Sequence, residues 1–380
     1  MKKQVDDLLA HVKGKRVAFL TNPTGVDENF LPLVDRVASQ GDGTTISAIF
    51  APEHGFRGSA QAGAKITDYT DAQLGVPVYS LYGARKAPED TQLSQTQVLV
   101  FDIQDVGARF YTYVWTMSHA MEAAARNDIE FVVFDRPNPA LANLVEGPPN
   151  RTDSGLVGRL FPGAEMGIAT RHGLTAGELA KLIAAEWLDG KPKVTVIPVE
   201  NYTRGMAFED TGYPWVTPSP NMPTVETAMV YTGTCIFEGT NLSEGRGTTR
   251  PFEFVGAPYV NAARLAAKLN ALDLPGARFR PLTFTPTFSK HDGIECAGIQ
   301  VHVTDATKFK AVETGLHIAK VLIELHPDEV KFTKGLARLS GLPTLEADIR
   351  SKTVEEIAKD WSADLAKYME VRKKYLIYGE

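Results

Sequence analysis

Cysteine is nearly missing from this chain of 380 residues: Cys235 and Cys296 are the only two. They are too few for a disulfide framework and lack the paired spacing of a zinc site, so buried free thiols are expected. Long apolar runs are missing as well. No stretch approaches the ~20 residues that cross a bilayer, so no membrane span is expected. The first fifteen residues, Met1 to Lys15, are polar and hold no apolar core of a secretory signal. The chain is therefore expected to be soluble, cytoplasmic as it stands or exported if a leader has been removed. Basic charge is neither in excess nor clustered: 40 Lys and Arg stand against 46 Asp and Glu, a net charge of −6. Nucleic acid, which needs a positive footprint, is not expected as a partner.

Several motifs are absent too. No Gly-x-Gly-x-x-Gly follows the first strand, no glycine-rich loop ends in Gly-Lys-Ser/Thr, and there is no Gly-x-Ser-x-Gly elbow. No two histidines share metal-ligand spacing. Dinucleotide, phosphate-loop, serine-hydrolase and zinc chemistry all lose support. No cofactor and no metal are expected, although carboxylates alone can hold a divalent ion.

What is present points to an α/β chain longer than one core usually grows, hence two domains. Short Val-, Ile- and Phe-rich runs predict strands at Arg16–Leu20, Ile46–Phe50, Val76–Leu81, Val98–Asp102, Glu130–Asp135 and Val194–Val199. Unbroken apolar runs of this kind suit parallel strands covered on both faces. Helical periodicity predicts helices over Thr112–Arg126 and Thr175–Leu188, the second opening with a Thr175/Glu178 capping box. Residues 214–258 read as a long Gly- and Pro-rich passage between domains. Beyond it come a helix (Asn261–Leu272), strands (Phe279–Thr287 and Glu295–Thr304) and helices (Lys308–Leu325 and Val354–Lys374). The expected division is 1–240 and a smaller α+β domain over 241–380.

Ligands of an open parallel sheet bind beyond the carboxyl ends of its strands, where loops converge. The segments after four predicted strands carry Asn22, then Glu53, His54 and Arg57 (in Ala51–Gly58), then Asp102, Gln104, Asp105 and Arg109, then Asp135 and Asn138. Glu53 lies on a stiff turn between Pro52 and Gly55, suited to a general acid if partly desolvated. Asp102 and Asp105 lie three apart, close enough for one to be protonated while the other is ionised. Glu53, Asp102 and Asp135 are expected to meet at one pocket mouth. Plainer alternatives stand beside these. Glu53 can pair with Arg57, Asp102 and Asp135 with Arg136 or Arg109, Asp105 can cap a helix, and His54 can be structural. A second polar run, residues 237–249, brings Glu238, Asn241, Glu244 and Arg246 among glycines that expose backbone donors. Arg57, Arg109 or Arg246 could fork a substrate carboxylate. Among Tyr79, Tyr82, Phe110, Tyr111, Tyr113 and Trp115, one or two could stack on a sugar face. Carboxylates without a metal or nucleophile elbow suit glycosidic cleavage.

The strings LTNPTGVD, FAPEHGFRG, PVYSLYG, DIQDVGARFYTY, VEGP, RHGLTAGELA, MPT, FEGTNLSEGRGTTRPFEFVGAP and ECAG, in that order, resemble the exo-β-N-acetylmuramidase (NamZ-type) family. The resemblance implies a Rossmann-like, doubly wound N-terminal domain without nucleotide, a smaller C-terminal domain and a cleft between them. It implies release of terminal N-acetylmuramic acid (MurNAc) from the non-reducing end of peptidoglycan fragments such as MurNAc-GlcNAc. The partner would be a small muro-saccharide, the proton donor would be Glu53, and the substrate's lactyl carboxylate would give an arginine a reason to be in the cleft. A muramyl-sugar receptor without turnover and a metal-dependent hydrolase of another wall component are the competing expectations.

Overall fold

A computed structural model of the chain describes residues 1–57 and 67–380; Gly58, which ends the Ala51–Gly58 loop, lies outside them. Strands β1 (Arg16–Thr21), β2 (Thr45–Ala51), β3 (Tyr69–Thr70), β4 (Pro77–Ser80), β5 (Val98–Asp102), β6 (Glu130–Phe134) and β7 (Val194–Ile197) form one sheet, ordered β3-β4-β2-β1-β5-β6-β7. All pairs are parallel except β3 with β4, a two-residue edge that the sequence did not announce. The chain winds outward from β1 in both directions, so the switch point lies between β1 and β5, where Thr21 pairs with Asp102.

Alternation along each strand feeds two cores. Val17, Phe19, Val98 and Val100 face one layer with α1 (Lys2–Val12) and α2 (Leu33–Ala38). Ala18, Leu20, Leu99 and Phe101 face the other with α3 (Asp90–Leu93), α4 (Tyr113–Arg126) and α5 (Ala176–Glu186). The polar-looking N-terminus is helical because Gln4, Val5, Leu8 and Val12 fall on one buried stripe. The capping box on α5 forms as the sequence predicts, with Thr175 and Glu178 exchanging hydrogen bonds.

The expected loop over residues 214–258 needs correction, since it contains α6 (Val225–Thr234) and β8 (Phe254–Ala257). Helix α6 is buried at every position but Glu226, so no amphipathic stripe marks it, and its Thr and Gly content reads as loop. It packs on a later helix at a glycine crossing. After α7 (Ala262–Ala271), β9 (Ala277–Phe284) and β10 (Cys296–Val303) comes α8 (Ala311–Leu325). A Cβ on Gly233 would lie 1.8 Å from the Ala311 carbonyl, and one on Gly315 would lie 2.2 Å from that of Gly233. Strands β8, β10 and β9 form an antiparallel sheet. Helices α9 (Gly335–Ser340), α10 (Leu345–Ser351) and α11 (Val354–Lys373) follow, and α11 returns to the first half, where Tyr368 donates to the His172 carbonyl at 2.7 Å. Among the described residues no helix is long and apolar enough to cross a membrane. Both cysteines are buried free thiols.

At the switch point Arg136 donates twice to Asp102, at 2.6 and 2.8 Å, and once to the Val26 carbonyl at 3.0 Å, so one guanidinium joins the ends of β1, β5 and β6. Both side chains are buried. Arg136→Met should therefore cost about 3–5 kcal/mol by stranding the carboxylate, and adding Asp102→Leu should recover part of the loss. Urea midpoints of the two variants measure this; a double variant no more stable than the single one would contradict it.

Candidate active site

A pocket of about 300 Å³ opens at the carboxyl edge of the large sheet. Glu53 and His54 reach it from the loop after β2, Tyr82 from the loop after β4, Tyr111 from the passage between β5 and α4, and Tyr113 from the start of α4. The second half of the chain closes it with Tyr231 of α6, Glu238, Arg246, Phe252 and, from α9, Arg338 and Leu339.

The Glu53 turn is built under strain. His54 and Gly55 take φ of 76° and 81°, and the Gly55 amide closes back on the Pro52 carbonyl at 3.1 Å. A left-handed conformation is costly for His54, which is buried and cannot turn freely. Such a turn fixes where Glu53 points. Burial, with the charge of nearby Glu53 adding to it, pushes the Tyr82 phenol up to about 12. Tyr111 and Tyr113 meet edge to face at 4.9 Å. Burial raises both phenols above their usual range, and the charge of Glu53 acts in the same direction on each. Three protonated phenols thus surround one carboxyl group.

The facing wall carries compensated charge. Arg246 binds Glu238 at 2.6 Å and Glu244 at 3.4 Å, and Lys290 holds Glu244 at 2.9 Å. Burial opposes the charge on Arg246, but the two carboxylates outweigh it and hold the guanidinium protonated. Its plane lies over Phe252 at 5.1 Å.

Of the residues singled out in sequence, Glu53, His54, Glu238 and Arg246 line the pocket, as do the aromatics Tyr82, Phe110, Tyr111 and Tyr113. Glu244 lies behind Arg246. Asp105 sits behind Tyr111 and raises its phenol further. Asp105 does not cap α4: it accepts from the Gly107 amide at 2.8 Å and meets His172 Nε2 at 3.2 Å. His172 Nδ1 accepts from the Leu174 amide at 3.2 Å, so Nε2 carries the proton given to Asp105. The expected meeting of Glu53, Asp102 and Asp135 does not form, because Asp102 is spent on Arg136 and Asp135 is enclosed by Thr175, Tyr378 and the Gly177 amide.

The remaining candidates also hold backbone or one another. Gln104 donates to the carbonyls of Asp105 and Pro137, and Asn138 donates to Leu174. Asn22 accepts from Thr24 with its carbonyl while its amide faces the Tyr113 hydroxyl. Arg57 pairs with Asp71 and Asp35 rather than Glu53. Arg109, pushed down to about 10 by burial, donates to the carbonyls of Val157 and Leu339. Asn241 bridges Glu329 and Lys331. Sequence reasoning did not reach Tyr231, hidden in the supposed loop, or Arg338, which no motif accompanies. Among the described residues no three of His, Cys, Asp or Glu are grouped closely enough to hold a metal ion.

Residues 17–226 match the family model of the exo-beta-N-acetylmuramidase NamZ N-terminal region, and residues 229–378 match that of its C-terminal region. The chain is 46% identical to the peptidoglycan beta-N-acetylmuramidase NamZ of Bacillus subtilis (strain 168), over 98% of this chain and 89% of that one. Two crystal structures of DUF1343 family proteins from Bacteroides fragilis NCTC 9343 share the fold. One has a TM-score of 0.87 at 33% identity, covering 99% of this chain and 97% of its own. The other has 0.75 at 30%, covering 99% and 98%.

Asp135 gives the site's foundation a pH signature. Burial pushes its carboxyl from the ordinary 3.8 up to about 6, although Tyr378, Thr175 and the Gly177 amide donate to it. The folded state therefore holds this proton more tightly than the unfolded chain. The stabilisation is complete below about pH 4 and is lost as pH rises through about 6. Urea midpoints across pH 4–7 should fall less steeply for Asp135→Asn than for wild type, by a difference on the order of 2–3 kcal/mol. Parallel profiles would assign the titration elsewhere.

Proposed function

The chain belongs to the exo-beta-N-acetylmuramidase NamZ family, and on that premise we propose that it releases terminal MurNAc from the non-reducing end of peptidoglycan fragments such as MurNAc-GlcNAc. Residues 1–240 act as the catalytic domain and 241–380 as the smaller domain that closes the cleft. The observation that carries the reading is Glu53, a carboxyl group on a fixed turn in a pocket wall, flanked by Tyr82, Tyr111 and Tyr113. A pocket walled by both halves favours the end of a saccharide over its middle.

In this mechanism Glu53 delivers its proton to the glycosidic oxygen as the bond from the anomeric carbon breaks. Water then adds to that carbon and its proton returns to Glu53. Positive charge building on the sugar ring is met by Glu238, which Arg246 holds in the pocket wall at 2.6 Å. Asp105 acts through Tyr111 rather than on substrate, and Asp102 through the strand ends it anchors.

Glu53→Gln should lower kcat/KM on a chromogenic β-N-acetylmuramide by about 10²–10⁴-fold. Binding of free N-acetylmuramic acid, read by calorimetry, should survive. Undiminished turnover would remove Glu53 from the chemistry. Wild-type binding without turnover would favour a sugar receptor, and activity abolished by chelator and restored by a divalent ion would favour a metal-dependent hydrolase.

A further inference from the structure

The two halves of the chain also meet at a second cavity, of about 470 Å³, which shares no lining residue with the pocket. There Glu146 and Arg171 of the first half face Phe309, Lys310 and Glu313 at the start of α8. Glu146 is fixed in its own half by two backbone bonds with Arg171, at 2.9 and 3.1 Å. Its carboxyl group crosses to the other half. It accepts from the Glu313 amide at 3.0 Å, and the Val312 amide also turns to it. These amides belong to the first turn of α8, whose donors have no partner within the helix. Lys310, at the cap position, has no acceptor in its side chain and makes no cap bond. The cap of α8 is thus supplied by a residue 167 positions before Glu313. Burial pushes the Glu146 carboxyl up to about 7, with Arg171 at 3.8 Å drawing it down and Glu313 adding to the rise. Charged or neutral, the group keeps an oxygen for the Glu313 amide, so this bond depends on reach more than on charge.

From the cap, a line of close contacts leads to the pocket. The Ala311 carbonyl, in the same turn, lies against Gly233 of α6, where a Cβ would come within 1.8 Å of it. Gly147, next to Glu146, is as confined, since a Cβ on it would meet Val312 Cγ2 at 2.9 Å. The first turn of α8 is therefore gripped between residues 146–147 and α6. Two positions before Gly233, Tyr231 stands in the pocket wall. It meets Phe110, Tyr111 and Phe252 edge to face at 5.2, 5.8 and 4.6 Å, and all three also line the pocket. In packing this close, a shift of α8 moves α6, and Tyr231 with it.

We propose that Glu146 is a positioning residue: by capping α8 from the opposite half, it fixes where α6 presents Tyr231 to the pocket. The placement holds whatever ligand the pocket takes, while its bearing on turnover rests on the muramidase reading above.

The test uses the full chain as wild type, Glu146→Gln and Glu146→Asp. The first variant keeps the reach and loses the charge; the second keeps the charge and falls a methylene short. Hydrogen exchange followed by mass spectrometry reads α6 and the first turn of α8, with α1 and α2 as internal references. In Glu146→Asp both should exchange roughly 5–30-fold faster than in wild type, the ratio that losing a helix cap produces. Helices α1 and α2 should stay within about twofold, and Glu146→Gln should do so throughout. Calorimetry with N-acetylmuramic acid should show binding weakened by up to about tenfold in Glu146→Asp and restored in Glu146→Gln. Unchanged exchange of α6 in Glu146→Asp, equal acceleration of α1 and α2, or Glu146→Gln as fast as Glu146→Asp would each overturn the assignment. So would faster exchange of α6 with N-acetylmuramic acid bound equally well by wild type and Glu146→Asp. Exchange needs no substrate, so a wild type that binds no N-acetylmuramic acid while the exchange pattern holds would sink the muramidase reading and leave this one standing.

Discussion

The side of the pocket that carries Glu53 depends on one buried ion pair. Asp102 ends β5 and Arg136 follows β6, and their contact spans the gap that a switch point leaves between diverging halves of a sheet. Arg136 also takes the Val26 carbonyl, so the loop after β1 is held in the same grip. A Cβ on Gly25 would fall 2.7 Å from Asp102 Oδ2, which is why that loop passes so close. Above the pair lies a polar shelf: Thr24 accepts from the Gln104 amide, and Gln104 bonds the carbonyls of Asp105 and Pro137. One strand further out, the Leu81 amide bonds the Ala51 carbonyl at 2.8 Å, which sets Tyr82 beside the Glu53 turn. The carboxyl group in the pocket is thus positioned by backbone geometry that starts from a charge pair it never touches.

A second set of buried cations joins the halves. Arg171 donates to the carbonyls of Ala140 and Phe309, Arg204 to those of Ala142 and Gly173, and Arg372 of α11 to the same two as Arg204. Irregular loops leave carbonyls without secondary-structure partners, and a guanidinium with five donors can satisfy several at once. Burial lowers Arg171 to about 10, still far above neutral pH, so the charge survives the desolvation. Arg109 does the same work at the pocket rim. These arginines stiffen exactly those segments that a sheet or helix ladder cannot reach, and they explain why so many charged residues of this chain are buried without lining a site.

That arrangement also marks what could be read from sequence. The six strands of the parallel sheet were legible because burial on both faces leaves unbroken runs such as Val98–Asp102. Glu53, His54, Glu238 and Arg246 were legible because strand-end loops and glycine-rich turns concentrate polar side chains. Helix α6 was not, since burial all round erases the periodicity that identifies a helix. Sequence could propose Asp102 and Asp135 as site residues because a carboxylate at a strand end looks alike whether it faces a ligand or a buried arginine. Only the partner distinguishes the two, and Arg136 and Tyr378 are remote in different ways: one lies 34 positions from Asp102, the other 243 from Asp135. Arg338 had no signal at all.

The division of labour across the pocket follows from how each half handles charge. The first half surrounds Glu53 with phenols, groups that burial keeps protonated and that stabilise negative charge without carrying a positive one. The second half does the reverse, pairing Glu238 and Glu244 directly with the cations Arg246 and Lys290. Under the proposed mechanism, proton transfer uses the first environment and the charge building on the sugar meets the second. Placing them on opposite halves, with the arginine struts fixing the distance between, lets a single small pocket hold both.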